Sequence, residues 1–400
     1  TLGAKNDTFT DTGSGAVIVV ATGGTNTITM GTGAGTVTAG SGVDTIAGGT
    51  GSDTFKFTSA TNSLGDSITD FKTADDQIAI TLDYSARGSA IEVNAVRTSA
   101  GVAGISAAEA TMSGRRGEYV YDTTNSKLVM DITGDGSISG ADHSIAINAA
   151  TTAANTLAAG DVDFTITATA AADTITTGAG ADTITTGNGG DTVVSGAGAD
   201  NITGGSGGDT ITGGAGADTI AVGSGADTVV YTSITDGLSS AIVLTNVATT
   251  ADDFVATAGT TVDSITSNWA VGNDFIKIDG SLEAALEASA ARVAINNAGS
   301  NLDFDTAGIA IMYGAKATLA GDNFGDIDAI KTAFDAGSGT AANGATGDEI
   351  LFTLEGSTSN LTGLYYFKNS NADSTISNGD TLALLAIIAD DTFQAANIII

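Results

Sequence analysis

Between residues 173 and 227 an aspartate returns at every ninth position: Asp173, Asp182, Asp191, Asp200, Asp209, Asp218 and Asp227. A β-branched apolar residue follows each by two positions: Ile175, Ile184, Val193, Ile202, Ile211, Ile220 and Val229. Glycines precede most of these aspartates at fixed offsets, most clearly in Gly204-Gly205-Ser206-Gly207-Gly208-Asp209 and Gly213-Gly214-Ala215-Gly216-Ala217-Asp218. Asp173 lacks them and opens the block. If two units make one coil, Asp173, Asp191, Asp209 and Asp227 share one edge, and Asp182, Asp200 and Asp218 share the other. Carboxylates stacked at the ~5 Å spacing of adjacent strands repel strongly unless a cation lies between them. Calcium, a hard ion that takes about 6–8 oxygens, suits a site of Asp carboxylates and glycine carbonyls, here those of Gly205, Gly207, Gly214 and Gly216.

A weaker block lies at the start of the chain. Gly48-Gly49-Thr50-Gly51-Ser52-Asp53-Thr54-Phe55 is a full unit, and Ala39-Gly40-Ser41-Gly42-Val43-Asp44-Thr45-Ile46 is a near match. The two units before it place Asn26 and Gly35 where Asp belongs, and Asp7 fits only with one inserted residue. Such a unit has room for a glycine turn with positive φ and a strand of about three residues, its β-branched side chain pointing inward. Successive coils then stack their strands into two parallel sheets and their turns into two ladders.

Nonapeptides of this kind are the calcium-binding repeats of RTX proteins, and the chain resembles that family. The resemblance extends to Gly65-Asp66-Ser67-Ile68-Thr69-Asp70-Phe71 and Asp75-Asp76-Gln77-Ile78, which look like the segment that closes an RTX β-roll. It implies a mainly β protein with two parallel β-roll blocks, each followed by a β-rich cap: a roll over 1–57, a cap over 58–166, a roll over 167–231 and a cap over 232–400. Short helices are expected within the last segment, at 281–292 and 326–334, from their Ala/Leu/Glu content and apolar spacing. The resemblance further implies export by a type I secretion machinery, folding on calcium outside the cell, and an uncleaved C-terminal signal. Residues 382–400, apolar with Asp390-Asp391, look like such a tail and read equally as a last strand.

A second kind of calcium pattern follows each roll. Residues 131–142 match the twelve-residue EF-hand-like loop: Asp131, Thr133 and Asp135 at positions 1, 3 and 5, Gly136 at 6, the Ser137 carbonyl at 7, Ile138 at 8 and Asp142 at 12. Asp at 12 is shorter than the usual Glu, and strands rather than helices flank the loop. A plain Asx-Gly hairpin turn is the alternative. Residues 369–380 are a degraded copy, with Asn369, Asn371 and Asp373 at 1, 3 and 5, Ser374 in place of glycine, and Asp380 at 12. Calcium and a structural turn are equal readings there.

Composition removes other classes. The chain has 46 Asp+Glu against 13 Lys+Arg, a formal net charge of -33, which argues against nucleic acid and against direct docking on anionic lipid. There is no cysteine or proline, and His143 is the single histidine, more often a surface or cap residue than a catalytic one. Gly204-Gly205-Ser206-Gly207-Gly208 matches G-x-S-x-G in letters but lies inside the repeats without a strand-to-helix elbow. The single Trp269 reads as core. No apolar stretch is long enough to span a bilayer. Thr1-Leu2-Gly3 shows no signal-peptide features, and upstream sequence is expected. The chain is therefore read as no enzyme.

With its Thr/Gly/Ala richness, acidity and lack of catalytic motifs, the chain resembles the calcium-dependent surface-layer proteins of Gram-negative bacteria. That implies self-assembly at the cell surface, with a surface polysaccharide as a candidate anchor. The C-terminal region of a large RTX adhesin and the RTX tail of a secreted enzyme remain the alternatives.

Overall fold

The computed structural model describes residues 1–59, 65–73, 75–95, 115–122, 124–139, 142–147, 159–233, 235–236, 242–243, 263–266, 275–278, 293–296, 310–313, 318–319, 330, 349–356, 361–370, 380–389 and 398–399. The chain divides into two compact units, Thr1–Thr186 and Gly187–Ile400.

The first unit is built from coils. One sheet takes every other strand of the N-terminal block, β1 (Thr8–Thr10), β3 (Thr27–Thr29), β5 (Thr45–Ala47) and β7 (Ser67–Ile68), all parallel. It continues through β12 (His143–Ile147), parallel to β7, into the antiparallel β11 (Lys127–Asp131) and β10 (Glu118–Asp122). The facing strands form a second, wholly parallel series: β2 (Val17–Val20), β4 (Gly35–Thr38), β6 (Thr54–Phe57), β8 (Gln77–Asp83), β13 (Val162–Thr167) and β15 (Thr183–Thr185). β9 (Glu92–Ala95) pairs in parallel with β14 (Thr174–Thr177).

Register explains the core. Ile28 pairs with Ile46 and Ile46 with Ile68, while Val37 pairs with Phe55 and Phe55 with Ile78. All six are buried, so each coil adds one inward residue to each of two apolar columns. Burying an aliphatic or aromatic side chain of this size contributes about 1.5–3 kcal/mol. The threonines on either side point outward, as the period of two requires. β13 joins this stack because Val162, Phe164 and Ile166 alternate in the same phase; Phe164 sits opposite Ile80, and Ile166 between Leu82 and Ile184. It occupies the end of the stretch expected to form the first cap.

The second unit repeats the principle. β16 (Thr192–Ala197), β18 (Thr210–Ala215), β20 (Thr228–Tyr231), β23 (Phe275–Ile278) and β30 (Ile398–Ile399) form one parallel series. β17 (Asn201–Thr203), β19 (Thr219–Ala221), β22 (Asp263–Thr266) and β29 (Thr381–Ile388) form the other. Beyond β29 the pairing turns antiparallel, through β28 (Thr362–Lys368) to β27 (Glu349–Gly356). β25 (Ala310–Tyr313) runs parallel to β27, and β24 (Val293–Asn296) parallel to β25. β21 (Ile242–Val243) and β26 (Thr318–Leu319) pair at the sides of β29 and β27. Leu382–Ile388 and Leu364–Phe367 are buried on both faces, which their uninterrupted apolar runs favour. Phe352 and Tyr365 stack there with ring centroids 4.9 Å apart.

The nine-residue pattern is therefore a coil pattern. Every predicted inward residue from Ile175 to Val229 is buried, and both series of repeat strands are parallel. The C-terminal tail supplies strands β29 and β30. The stretch 281–292 and Trp269 lie outside the described residues, as does 326–334 except for Ile330, which is helical and buried. A turn of 3-10 helix at Ala159–Asp161 leads into β13.

Because Ile211 belongs to a close-packed column, truncation to Ala is expected to cost about 2–5 kcal/mol. Its outward neighbour Thr210, changed to Ala, is expected to move stability by less than about 0.5 kcal/mol. Denaturant unfolding of both variants in saturating calcium checks the difference.

Candidate metal ladder

Each repeat aspartate stands immediately before its strand, where the turn ends. In the second unit its backbone N–H donates to the Oδ1 of the aspartate one coil later: Asp191 to Asp209, Asp209 to Asp227 and Asp200 to Asp218, each at 2.9 Å. Asp191, Asp209 and Asp227 thus form one column, and Asp200 and Asp218 the other, as the spacing predicts. The first unit uses the same bond. Asp7 donates to Asn26 Oδ1 (3.0 Å), Asn26 to Asp44 Oδ1 (2.9 Å) and Asp44 to Asp66 Oδ1 (2.7 Å). On the other edge Gly35 donates to Asp53 Oδ1 (2.7 Å) and Asp53 to Asp76 Oδ1 (3.0 Å). Phe164 donates to Asp182 Oδ1 (2.7 Å), and Ile91 to Asp173 Oδ1 (2.8 Å).

The second carboxylate oxygen is different. Oδ2 of Asp44, Asp53, Asp66 and Asp209 is buried and accepts no hydrogen bond. The Oδ2 atoms of Asp182, Asp191, Asp200, Asp218 and Asp227 are likewise buried and receive no hydrogen bond. An ionised oxygen held this way costs several kcal/mol unless a positive charge meets it. Three of them face the first glycine of their own turn: a Cβ on Gly213 would stand 2.2 Å from Asp218 Oδ2, one on Gly204 2.7 Å from Asp209 Oδ2, and one on Gly48 2.6 Å from Asp53 Oδ2. Stacking restricts the turn further. Gly205, Gly207, Gly214 and Gly216 have φ of +98°, +135°, +94° and +140°, and a Cβ on Gly207 would lie 1.5 Å from the Gly189 carbonyl oxygen. Only glycine allows that conformation at that approach. The turns therefore bring buried carboxylate oxygens close to stacked carbonyls, a donor set suited to a hard cation such as calcium. Among the described residues no three His, Cys, Asp or Glu side chains gather around one point, so any site here draws on the turns in series and on their carbonyls.

Asp173 stands apart. Thr169 closes its carboxylate, with N–H to Oδ2 at 2.8 Å and Oγ1 within 2.9 Å of both oxygens. No glycine turn precedes it, and its place in the ladder is that of an opening cap.

The 131–142 loop lies between β11 and β12, flanked by strands. Its carboxylates turn to the loop's own donors. Asp131 Oδ1 accepts from Gly134 N–H (2.6 Å) and Oδ2 from Gly136 N–H (2.7 Å). Asp142 Oδ1 accepts from the N–H groups of Ile132 (3.0 Å) and Thr133 (3.1 Å), and Oδ2 from Ser139 N–H and hydroxyl, both at 2.9 Å. Asp135 accepts from Ser137 N–H at 2.8 Å, and Arg116 donates to the Thr133 carbonyl. Neither Asp131 nor Asp142 has a buried oxygen left over, in contrast to the ladder. In the 369–380 segment Ser370 N–H donates to Asp380 Oδ1 at 2.7 Å, the same bond as Ile132 to Asp142. Asn369 and Asp380 are buried, while Asn371 and Asp373 lie outside the described residues. His143, expected at a surface or cap position, is fully buried on β12, where burial pushes its pKa down to about 4.

Asp66 and Asp76 were not among the expected ligands. They follow their ladder neighbours by 22 and 23 residues rather than 18, which hides them from the period. Their signal is local: each precedes an apolar strand residue by two positions, Ile68 and Ile78.

Burial is the main reason that Asp66, Asp76, Asp209 and Asp218 titrate high. Asp66 and Asp218 are pushed up to about 7, and Asp76 and Asp209 to about 6. Backbone N–H donors oppose this, and neighbouring carboxylates, Asp191 and Asp227 around Asp209, add to it. In the calcium-free protein these groups bind protons more tightly folded than unfolded. Their favourable contribution is complete below about pH 4 and is lost as pH rises through about 6–7. Calcium-free protein is expected to gain β structure by far-UV circular dichroism on going from pH 7.5 to 5, and the calcium needed for half-folding at pH 7.5 to exceed that at pH 5.5. A separate expectation concerns the turns: Gly207→Ala should cost more than about 1–3 kcal/mol in calcium-saturated protein, since it adds overlap to a positive φ.

The family model of the RTX calcium-binding nonapeptide repeat (4 copies) matches residues 20–55, 165–193 and 194–229. No curated protein matches the chain. The matched residues include Asp44, Asp53 and the aspartates from Asp173 to Asp227, so these stretches are similar to RTX calcium-binding nonapeptide repeats.

Proposed function

We propose that this chain is a secreted, calcium-binding structural protein that folds on calcium outside the cell and self-assembles into a surface layer or filament. The observation that carries the reading is the buried Oδ2 of Asp44, Asp53, Asp66 and Asp209, which accepts no hydrogen bond, in a chain of net charge -33. In each coil Oδ1 sets the distance to the next turn through an amide, and Oδ2 and the glycine carbonyls are left to hold a cation. Calcium supplies the positive charge that lets stacked turns stay ionised and close. Because the site exists only when the coils are stacked, binding couples to folding. Without the cation, self-repulsion favours an open chain, as passage through a type I secretion machinery requires.

RTX repeat proteins are typically secreted. No helix among the described residues is long and apolar enough to cross a membrane. Residues 382–400 would serve export while unfolded and supply β29 and β30 once folded. Partners in this reading are other copies of the chain, joined through calcium between acidic surfaces, and a cell-surface polysaccharide as anchor. It includes no catalytic step, no nucleic acid and no membrane insertion.

Negative-stain electron microscopy before and after addition of millimolar calcium tests it. Ordered sheets or filaments that dissolve in chelator are expected. Dispersed, folded monomers would contradict assembly and favour a calcium-folded adhesin or secretion module.

A further inference from the structure

Two turns of the first unit hold side-chain nitrogen donors on their glycine carbonyls. The first lies where the roll closes. Between β7 and β8 the chain passes over the turn Gly48–Asp53, and Lys72 Nζ donates to the Gly49 carbonyl. Asp70 fixes the same turn from above, accepting the N–H groups of Gly48 and Gly49 at 2.8 Å each. Lys72 N–H donates to Asp76 Oδ2 at 2.8 Å, and its ammonium lies within electrostatic reach of both Asp53 and Asp76. A tethered cation thus sits on a carbonyl of the last full repeat turn, beside its ladder carboxylates.

The second lies near the beginning. Asn26 occupies an aspartate position, and its Oδ1 keeps the ladder bond from Asp7. Its Nδ2 donates to the carbonyls of Gly23 (3.2 Å) and Gly24 (3.4 Å) and to Asp44 Oδ1 (2.8 Å). One amide thereby offers donors to two turn carbonyls and to the next carboxylate.

In the repeats from Asp173 to Asp227 hydroxyls take part instead: Thr169 closes the Asp173 carboxylate, and Ser195 Oγ donates to the Gly213 carbonyl at 2.7 Å. The sequence contains no Lys or Arg between Lys127 and Lys277, and every position of their nine-residue ladder is aspartate.

We propose that the Lys72 ammonium and the Asn26 amide replace calcium at two turns of the N-terminal repeat block, so that its ladder is closed there by the chain's own donors. This rests on the calcium reading above. It assigns to each residue a change in ion count. Without Lys72, the Gly49 carbonyl, the Oδ2 of Asp53 and the carboxylates of Asp70 and Asp76 remain as oxygen donors with no positive charge among them. With Asp at 26, the Gly23 and Gly24 carbonyls lose a donor and gain a carboxylate.

The test is the number of calcium ions per full-length chain, measured by atomic emission after equilibrium dialysis in saturating calcium. Lys72→Met and Asn26→Asp are each expected to bind one more ion than the unsubstituted chain. Lys72→Arg keeps the charge and is expected to bind the same number. Circular dichroism in the same buffer verifies folding, and Asn26→Asp, close in size, keeps the test open if Lys72→Met does not fold. Unchanged counts in both variants would overturn the proposal while leaving calcium binding intact. A gain in only one overturns it at the other residue. An unsubstituted chain that binds no calcium overturns the underlying reading itself.

Discussion

Most coils of the repeat blocks contain a carboxylate whose two oxygens have different tasks. Oδ1 accepts an amide one coil away and fixes the rise of the stack, as between Asp191 and Asp209. Oδ2 is carried into the turn with no hydrogen bond to compensate its burial, as in Asp209 and Asp53. Burying an ionised oxygen this way is unfavourable by more than any single rung of apolar core returns. A fold that repeats the arrangement coil after coil therefore needs a positive charge supplied from solution, from protons or from its own side chains. The elevated pKa values of Asp66 and Asp218, the glycines at positive φ and the placement of Lys72 all follow from that need.

The strands serve this constraint as much as they serve the core. A three-residue strand such as Asn201–Thr203 buries only Ile202, too little to hold a coil in place alone. Parallel stacking of such strands also lacks the short hairpins that stabilise antiparallel sheets locally. The turns must contribute, and they do so only when their mutual repulsion is neutralised. The strands around β28 and β29 differ: they are long, antiparallel and buried on both faces, and they contain none of the ladder aspartates. Apolar burial is sufficient there.

Much of the roll was legible because one coil is short and self-similar. The period fixed the inward residues Ile175 to Val229 and the two aspartate columns. Asn26 shows why a strict search for carboxylates is too narrow: the ladder bond requires only an acceptor at Oδ1, which an amide supplies equally well. Asp66 and Asp76 were hidden by insertions of a few residues, although strand register restores them to the columns. The 131–142 loop was visible as a loop, but which donors its carboxylates meet depends on backbone amides that the letters do not display. A lone histidine reads as a surface or cap residue; His143 is buried on β12, where it pairs with Met130 of β11. The order of β22, β29, β28 and β27 has no period at all, and β22 meets β29 across more than a hundred residues, as between Ile265 and Ile388.

The central claim is that the Oδ2 atoms of the ladder are cation ligands. A crystal structure of the calcium-saturated protein, with anomalous difference maps, tests it most directly. The account predicts anomalous peaks between successive turns at about 2.3–2.6 Å from Oδ2 of Asp209 and Asp218. Oδ2 atoms hydrogen-bonded to water, with no anomalous peak in either ladder, would contradict it.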